Sequence, residues 1–139
     1  MTKISLDVVH PGQDLVLAVR MDDKEIWRSS TQYVGMIEFD FPDEDGSHVL
    51  EITLANKQPH QTILSSDGQF LQDVVVEIKD VAFDNINLGH VFTSHAIYCH
   101  DFNGTTKTIQ DKFYGIMGCN GTISLRFTTP IYLWLLENM

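Results

Sequence analysis

Apolar and polar side chains alternate along most of this chain. Such alternation predicts half-buried β-strands, because neighbouring side chains on a strand point to opposite faces. In the first segment Ile4, Leu6 and Val8 share one face, while Ser5 and Asp7 share the other. Later segments add further core candidates in the same way: Leu15, Leu17, Val19 and Met21; Ile37, Phe39 and Phe41; Leu50, Ile52 and Leu54; and Val76, Ile78 and Val81.

Turn-forming residues punctuate this pattern. Asp22-Asp23-Lys24 predicts a tight hairpin, residues 42–46 (PDEDG) an acidic hairpin turn, and Asn120-Gly121 a two-residue hairpin turn. The C-terminal IYLWLLENM is the main helix candidate, but its aromatic and β-branched start favours a strand. Roughly seven to ten short strands predict one domain, residues 1–139, folded as an all-β, antiparallel, jelly-roll-like β-sandwich.

Residues 56–73 form the longest gap between the predicted strands. A loop of about 18 residues is uncommon in a compact domain and is usually functional. This loop ends in Asp73, directly before a strand. The Asp73 carboxylate has two interpretations, as a ligand in a binding site or as a cap on loop amides. The loop is therefore the first place to look for a site.

The charge balance limits the classes of partner. The chain has 139 residues, with 9 basic and 19 acidic side chains and a formal net charge of −10. A nucleic acid would be repelled, because no stripe of lysine or arginine offsets this charge locally. No apolar run approaches the length of a membrane span, so membrane insertion is not expected. Neutral ligands, cations and basic partners are the classes that fit.

The N-terminus and the two cysteines bear on localisation. The chain begins MTKISLDVVH, which enters a strand pattern at once and does not match a secretory signal peptide. We therefore expect synthesis in the cytoplasm, followed by retention there, release by lysis, or incorporation into a larger particle. Cys99 and Cys119 lack the spacing of a zinc site, and two buried free thiols are favoured over a disulfide.

Catalytic and metal-binding motifs are weak in this sequence. His90, His95 and His100 follow one another at intervals that place neighbours on opposite faces of a strand. The acidic turn matches part of an EF-hand loop, but Phe41 and Ile52 would fall at positions that need oxygen ligands. No G-x-S-x-G elbow is present, and no carboxylate pair has a setting that would raise one pKa. The chain is not expected to be an enzyme.

The order of segments resembles that of small β-sandwich carbohydrate-binding modules that recognise xylan and related β-glycans through calcium. The corresponding stretches are ISLDVV, LVLAVRM, the turn Asp22-Asp23-Lys24 and EIW, followed by HVLEITLAN up to Asn56. Asp73 then precedes an alternating strand with Val76, Ile78 and Val81 at +3, +5 and +8. The resemblance covers roughly residues 4–84 and does not extend to residues 85–139.

The resemblance implies a calcium ion held by loop oxygens, with sugar hydroxyls completing its coordination. By position it implies Asp73 as a metal ligand. Asp67, which lies between Ser66 and Gly68, is the second candidate. The family often has an acid directly after the asparagine, where this chain has Lys57. Lys57 can instead donate hydrogen bonds to sugar oxygens.

The predicted function is non-catalytic binding of a β-glycan or xylan-like carbohydrate, assisted by Ca²⁺ through the loop 55–73. The predicted sugar contacts are Asn56, Lys57, Gln69 and Phe70. Phe70 is included because an aromatic ring can stack on the C–H face of a sugar. The alternative is a virion-surface or appendage protein of a bacterial virus. Such a protein would form a homo-oligomer or assemble into a virion, and could still dock on host glycans.

Overall fold

The computed structural model describes residues 2–41, 45–57, 62–64, 70–100, 109–113 and 115–138, with the backbone alone for 62–64, 70–73 and 109. Its elements in chain order are β1 (Thr2–His10), β2 (Val16–Met21), β3 (Lys24–Ser29), β4 (Tyr33–Phe41), β5 (Gly46–Ala55), β6 (Thr62–Leu64), β7 (Phe70–Asp73), β8 (Val76–Phe83), β9 (Ile86–Asn87), α1 (His90–His95), β10 (Ile97–His100), β11 (Ile109–Lys112), β12 (Ile116–Met117), β13 (Gly121–Thr129) and α2 (Ile131–Asn138).

Two antiparallel sheets make up most of the molecule. The first sheet has the strand order β12-β8-β1-β4, with β9 paired to β8. The second has the order β11-β10-β13-β5-β2-β3. Apolar side chains from both sheets belong to one buried cluster, so the sheets enclose a common core. This arrangement confirms the predicted all-β sandwich.

The alternation in the sequence placed the core residues correctly. The predicted core residues are buried, apart from the half-buried Phe39: Ile4, Leu6, Val8, Leu15, Leu17, Val19, Met21, Ile37, Phe41, Leu50, Ile52, Leu54, Val76, Ile78 and Val81. The hairpin at Asp22-Asp23 is also confirmed. Both aspartates have positive φ (50° and 67°), as a tight turn between β2 and β3 requires.

Two other predicted hairpins are wrong, because the strands on either side lie in different sheets. Residues 42–46 connect β4 of the first sheet to β5 of the second, although 42–44 lie outside the described residues. Asn120-Gly121 likewise stands between β12 and β13, which do not pair. A Cβ at Gly121 would overlap the carbonyl oxygen of Cys99. Close approach to β10, and not a turn, therefore explains this glycine.

The prediction of a C-terminal strand is also wrong, because residues 131–138 form α2. The backbone N–H groups of Leu133 and Trp134 donate to the Pro130 carbonyl at the start of this helix. Ile131, Trp134 and Leu135 form its buried face at the helical spacing i, i+3, i+4. Burial of this face against β13 outweighs the strand propensity of the aromatic and β-branched residues.

Residues 56–73 are more regular than the long loop that the sequence suggested. Within them β6 and β7 pair as a separate two-stranded sheet, in which Thr62 lies opposite Asp73 and Leu64 opposite Phe70. Further along the chain, α1 connects β9 of the first sheet to β10 of the second. No helix among the described residues has the length and apolar character needed to cross a membrane.

Candidate functional site

The region in which the sequence predicts a site begins at the end of β5. Asn56 follows the last residue of β5 with a φ of 68°, in the left-handed region that asparagine tolerates. Its side-chain amide donates a 2.7 Å hydrogen bond to the carbonyl oxygen of Asp14. Asn56 therefore directs the chain away from the second sheet, and its hydrogen bond to Asp14 links the end of β5 to the segment before β2.

Lys57 is buried directly after this turn, with 4% of its surface exposed. Its Nζ donates a 2.6 Å hydrogen bond to the carbonyl oxygen of Gly118. The Lys57 backbone N–H donates to Asn120 Oδ1 at 2.7 Å, and Asn120 Nδ2 donates to the Lys57 carbonyl at 3.0 Å. Lys57 thus has a structural role. Its predicted contact with sugar stays a prediction.

The topology brings the end of β7 to the same end of the sandwich. Met117 pairs with Val76 at the start of β8, and Gly118, which accepts the Lys57 hydrogen bond, follows Met117. Asp73 lies three positions before Val76, and Phe70 begins the same strand β7. The backbone therefore places the predicted ligand Asp73 on the hairpin that leads into this end.

Two predicted site residues, Asp67 and Gln69, lie outside the described residues. Among the described residues no group of three or more histidine, cysteine, aspartate or glutamate side chains is arranged to hold a metal ion. Calcium takes about six to eight oxygen ligands, which include backbone carbonyls and water as well as carboxylates. Asp67 and Asp73 therefore remain predicted ligands.

A polar pair beside this end was not predicted from the sequence. His100 is buried, with 6% of its surface exposed, and its Nε2 lies 2.8 Å from Asp111 Oδ2. The His100 ring packs against Tyr98 at a centroid distance of 4.7 Å. The Tyr98 hydroxyl donates to the Cys119 carbonyl and accepts from the Cys119 N–H at 3.1 Å. This pair is thus connected to the segment that binds Lys57.

A cleft of about 630 Å³ opens beside this pair, lined by Tyr98, His100, Gln110, Asp111, Lys112 and Ile116. It lies where β11, the edge strand of the second sheet, faces β12, the edge strand of the first. The polar run Gln110-Asp111-Lys112 was the sequence signal for it. Its pattern does not mark a strand, because it continues the polar stretch that begins at residue 103.

A smaller cleft of about 290 Å³ lies at the opposite end of the second sheet and includes Asp22, His48 and Trp134 in its lining. There Asp22 Oδ2 lies 2.7 Å from His48 Nδ1, and His48 Nε2 lies 3.2 Å from Thr129 Oγ1. The order acid, imidazole, hydroxyl resembles a hydrolase triad. Thr129 is only 6% exposed, so this hydroxyl is not open to a substrate. The hydrogen bonds instead connect the β2–β3 turn to β5 and β13 of the second sheet.

The aromatic side chains that the structure describes do not form an exposed platform at the predicted site. Phe113 is 1% exposed and Tyr98 6% exposed, so neither can present a full ring face to a ligand. Trp27 and Tyr33 pack edge to face at 5.3 Å beside the core. The side chain of Phe70, the preferred stacking candidate, is not among those described.

Taken together, these elements define a two-sheet antiparallel β-sandwich with polar clefts at its ends. Two solved structures share this fold. One is described as "vCBM60 in complex with galactobiose"; it is 8% identical, with a TM-score of 0.55, covering 88% of this chain and 96% of that chain. The other is a selenomethionine form of vCBM60, 9% identical, with a TM-score of 0.53, covering 90% of each chain.

The description of the second structure refers to two families of calcium-dependent carbohydrate-binding modules linked by circular permutation. No protein-family model and no curated protein matches the chain. At 8% and 9% identity the likeness shows the fold of a carbohydrate-binding module.

Proposed function

We propose that this chain is a non-catalytic carbohydrate-binding domain. The observation that carries the proposal is the match of nearly the whole sandwich, 88% and 90% of the chain, to two carbohydrate-binding-module structures. One of those structures was determined with the disaccharide galactobiose. Because a shared fold does not fix a function, the proposal also needs a site with the chemistry to bind sugar.

The end of the sandwich around Asn56, Lys57 and Asp73 supplies that site in our proposal. The hydrogen bonds of Asn56 to Asp14 and of Lys57 to Gly118 and Asn120 give this end a fixed backbone frame. A fixed frame supports binding, because less conformational freedom is lost when the ligand is held. The hairpin of β6 and β7 leaves this frame and carries the remaining predicted residues.

We further propose that calcium assists binding, with Asp67 and Asp73 as its protein ligands. Calcium takes hard oxygen donors such as the carboxylates of Asp67 and Asp73, and vicinal sugar hydroxyls can complete its coordination. The description of the second vCBM60 structure names two families of calcium-dependent carbohydrate-binding modules, which supports this step. Asn56, Gln69 and Phe70 are the proposed direct sugar contacts, and Lys57, which is 4% exposed, is proposed to act by holding the backbone frame behind them. A β-glycan of the xylan type is the proposed ligand class.

A glycan array probed with and without millimolar calcium tests the proposal, followed by calorimetric titration with galactobiose and with xylo-oligosaccharides. Binding that needs calcium and is lost in Asp73→Ala is the expected result. Asp23→Ala is the matched control, because it removes the same charge from the exposed turn at the opposite end. Absence of any glycan signal from the folded wild-type chain would contradict the proposed function.

A further inference from the structure

The cleft along β11 contains the carboxylate of Asp111, whose orientation is fixed by a hydrogen bond to the buried His100. Asp111 is 52% exposed at its side chain, yet its Oδ2 is fixed 2.8 Å from the Nε2 of the buried His100. His100 in turn packs against the buried Tyr98. Asp111 therefore presents its second oxygen, Oδ1, in an orientation set by the protein. An ordinary exposed aspartate on an edge strand lacks this support.

Two further polar side chains border the cleft on β11. The Gln110 amide supplies a donor and an acceptor, and the Lys112 ammonium supplies donors. Both residues are exposed on β11 and border the same cleft, but their side chains leave the strand on the face opposite Asp111. Gln110 pairs with Cys99 and Lys112 with the exposed Ile97, whereas Asp111 pairs with the buried Tyr98. Within the described part of the chain, no hydrogen bond or ion pair engages the Gln110 amide, the Lys112 ammonium or Asp111 Oδ1.

The opposite wall of the cleft is apolar. Ile116 on β12 is 53% exposed and belongs to the edge of the first sheet. Small-molecule sites typically enclose about 300–1,000 Å³ and combine an apolar surface with a few fixed polar groups. The cleft, at about 630 Å³, has both features. A pyranose fits this chemistry, since it carries a C–H face together with hydroxyls that both donate and accept.

Charge narrows the class of sugar. A fixed carboxylate accepts hydrogen bonds from a pair of hydroxyls but repels a second carboxylate or a sulfate. The net charge of −10 adds a repulsion of longer range against an anionic polysaccharide. The Lys112 ammonium leaves β11 on the face opposite Asp111, so the carboxylate sets the charge inside the cleft. An uncharged glycan is therefore favoured over a uronic acid or a sulfated sugar.

We infer that the cleft between β11 and β12 is a subsite for an uncharged glycan, in which Asp111 binds the sugar hydroxyls from inside the cleft and Gln110 and Lys112 bind them from its rim. This inference rests on the proposed function and extends its site beyond the predicted loop. Hydrogen bonds through Tyr98 and Cys119 connect the subsite to the segment that binds Lys57, at the end of the sandwich where the calcium-assisted site is proposed. One glycan chain could then occupy both, with different sugar units in each.

Calorimetric titration with galactobiose and xylo-oligosaccharides tests the subsite in the variants Asp111→Asn and Gln110→Ala. Asp111→Asn keeps the size of the side chain and removes its charge, and Gln110→Ala changes an exposed residue. We expect affinity to fall about 10-fold or more in the first and several-fold in the second, as for lost hydrogen bonds to a charged and a neutral group. The control Asp23→Asn removes the same charge at the far end and should leave affinity unchanged.

Circular dichroism and thermal melting confirm that each variant is folded before titration. If the wild-type chain binds and both cleft variants bind equally well, the subsite is overturned while the proposed function stands. If the folded wild-type chain binds neither probe at any calcium concentration, both are overturned. Affinity lost in the two cleft variants and retained in Asp23→Asn supports the subsite.

Discussion

The buried ammonium of Lys57 shows how one residue can acquire a role that its sequence position does not reveal. The sequence places Lys57 after a strand, in a polar stretch where an exposed side chain is the ordinary expectation. The fold instead brings Gly118 and Asn120 against it, from a segment about sixty positions away. A contact between such distant segments depends on the tertiary structure, so local patterning could not predict it.

Substitution of Lys57 by methionine separates the structural role from sugar binding. Methionine retains the length of the chain but leaves the Gly118 carbonyl without this donor, so we expect a loss of about 1–3 kcal/mol in the free energy of unfolding. Urea denaturation measures this loss, with the exposed Lys79→Met as the control. Titration well below the melting temperature then shows whether the ammonium also contributes to glycan affinity. Unchanged stability would contradict the structural role.

Gly121 is the second residue whose role comes from the fold. The Asn-Gly pair has a strong local turn signature, but the close approach of β10 to β13 determines this position. In Gly121→Ala the new Cβ would overlap the Cys99 carbonyl and lie 2.8 Å from His100 Cα. We expect a loss of about 3 kcal/mol or more in unfolding free energy, because backbone must move. Ser124→Ala, on the same strand, should change stability by less than about 1 kcal/mol, and equal losses in both variants would contradict this account.

At the scale of elements, the sequence predicted strands well and connections poorly. The alternation of apolar and polar residues is visible within each single segment, because one face of the strand is buried and the other is exposed to solvent. Whether two successive strands pair with each other or lie in different sheets depends on the other strands of each sheet. Local turn signals therefore predict hairpins after β4 and β12 that the fold does not contain. The C-terminal segment was ambiguous for a related reason, since its residues suit a strand by propensity and a helix by spacing.

Helix α2 should contribute to stability through one face only. Trp134 is 7% exposed and lies 6.2 Å from Phe127 and 5.9 Å from His95 between ring centroids. We expect Trp134→Ala to lower the unfolding free energy by about 3–5 kcal/mol, as for other large aromatic truncations. Leu136, on the outer face, is 74% exposed, and Leu136→Ala should change it by less than about 0.5 kcal/mol. Similar losses in both variants would show that the outer face is also covered.

For the whole molecule, fold and function were predictable to different degrees. The sandwich followed from alternation and turn spacing, and its agreement with the carbohydrate-binding-module structures extends over nearly the whole chain. The candidate site was only partly predictable. Asp73 and Asn56 stand at strand ends that the sequence marks, whereas the cleft at Asp111 depends on two edge strands from different sheets. Tertiary packing brings the edge strands β11 and β12 together, and residue spacing within one segment cannot predict this contact.

Calcium should stabilise the whole chain if the proposed ion site is real. An ion that binds the folded state alone raises the unfolding free energy by about 2.7 kcal/mol when its free concentration is 100 times Kd. For a chain of this size that corresponds to a rise of roughly 5–10 °C in Tm. Melting curves in excess EDTA and in millimolar calcium measure the effect, which should be smaller with magnesium, because Mg²⁺ keeps its water shell more tightly.

The same melting experiment distinguishes a site at the end of β7 from diffuse neutralisation of the charge of −10. Diffuse screening would stabilise Asp73→Ala and Asp23→Ala equally, and sodium chloride at matched ionic strength would reproduce it. A specific site predicts that Asp73→Ala loses the calcium-dependent rise while Asp23→Ala keeps it. Equal calcium-dependent rises in Tm in both variants would show that calcium binds at another site or does not bind specifically. Glycan binding that persists in EDTA would then leave the sandwich a sugar binder that works without the ion.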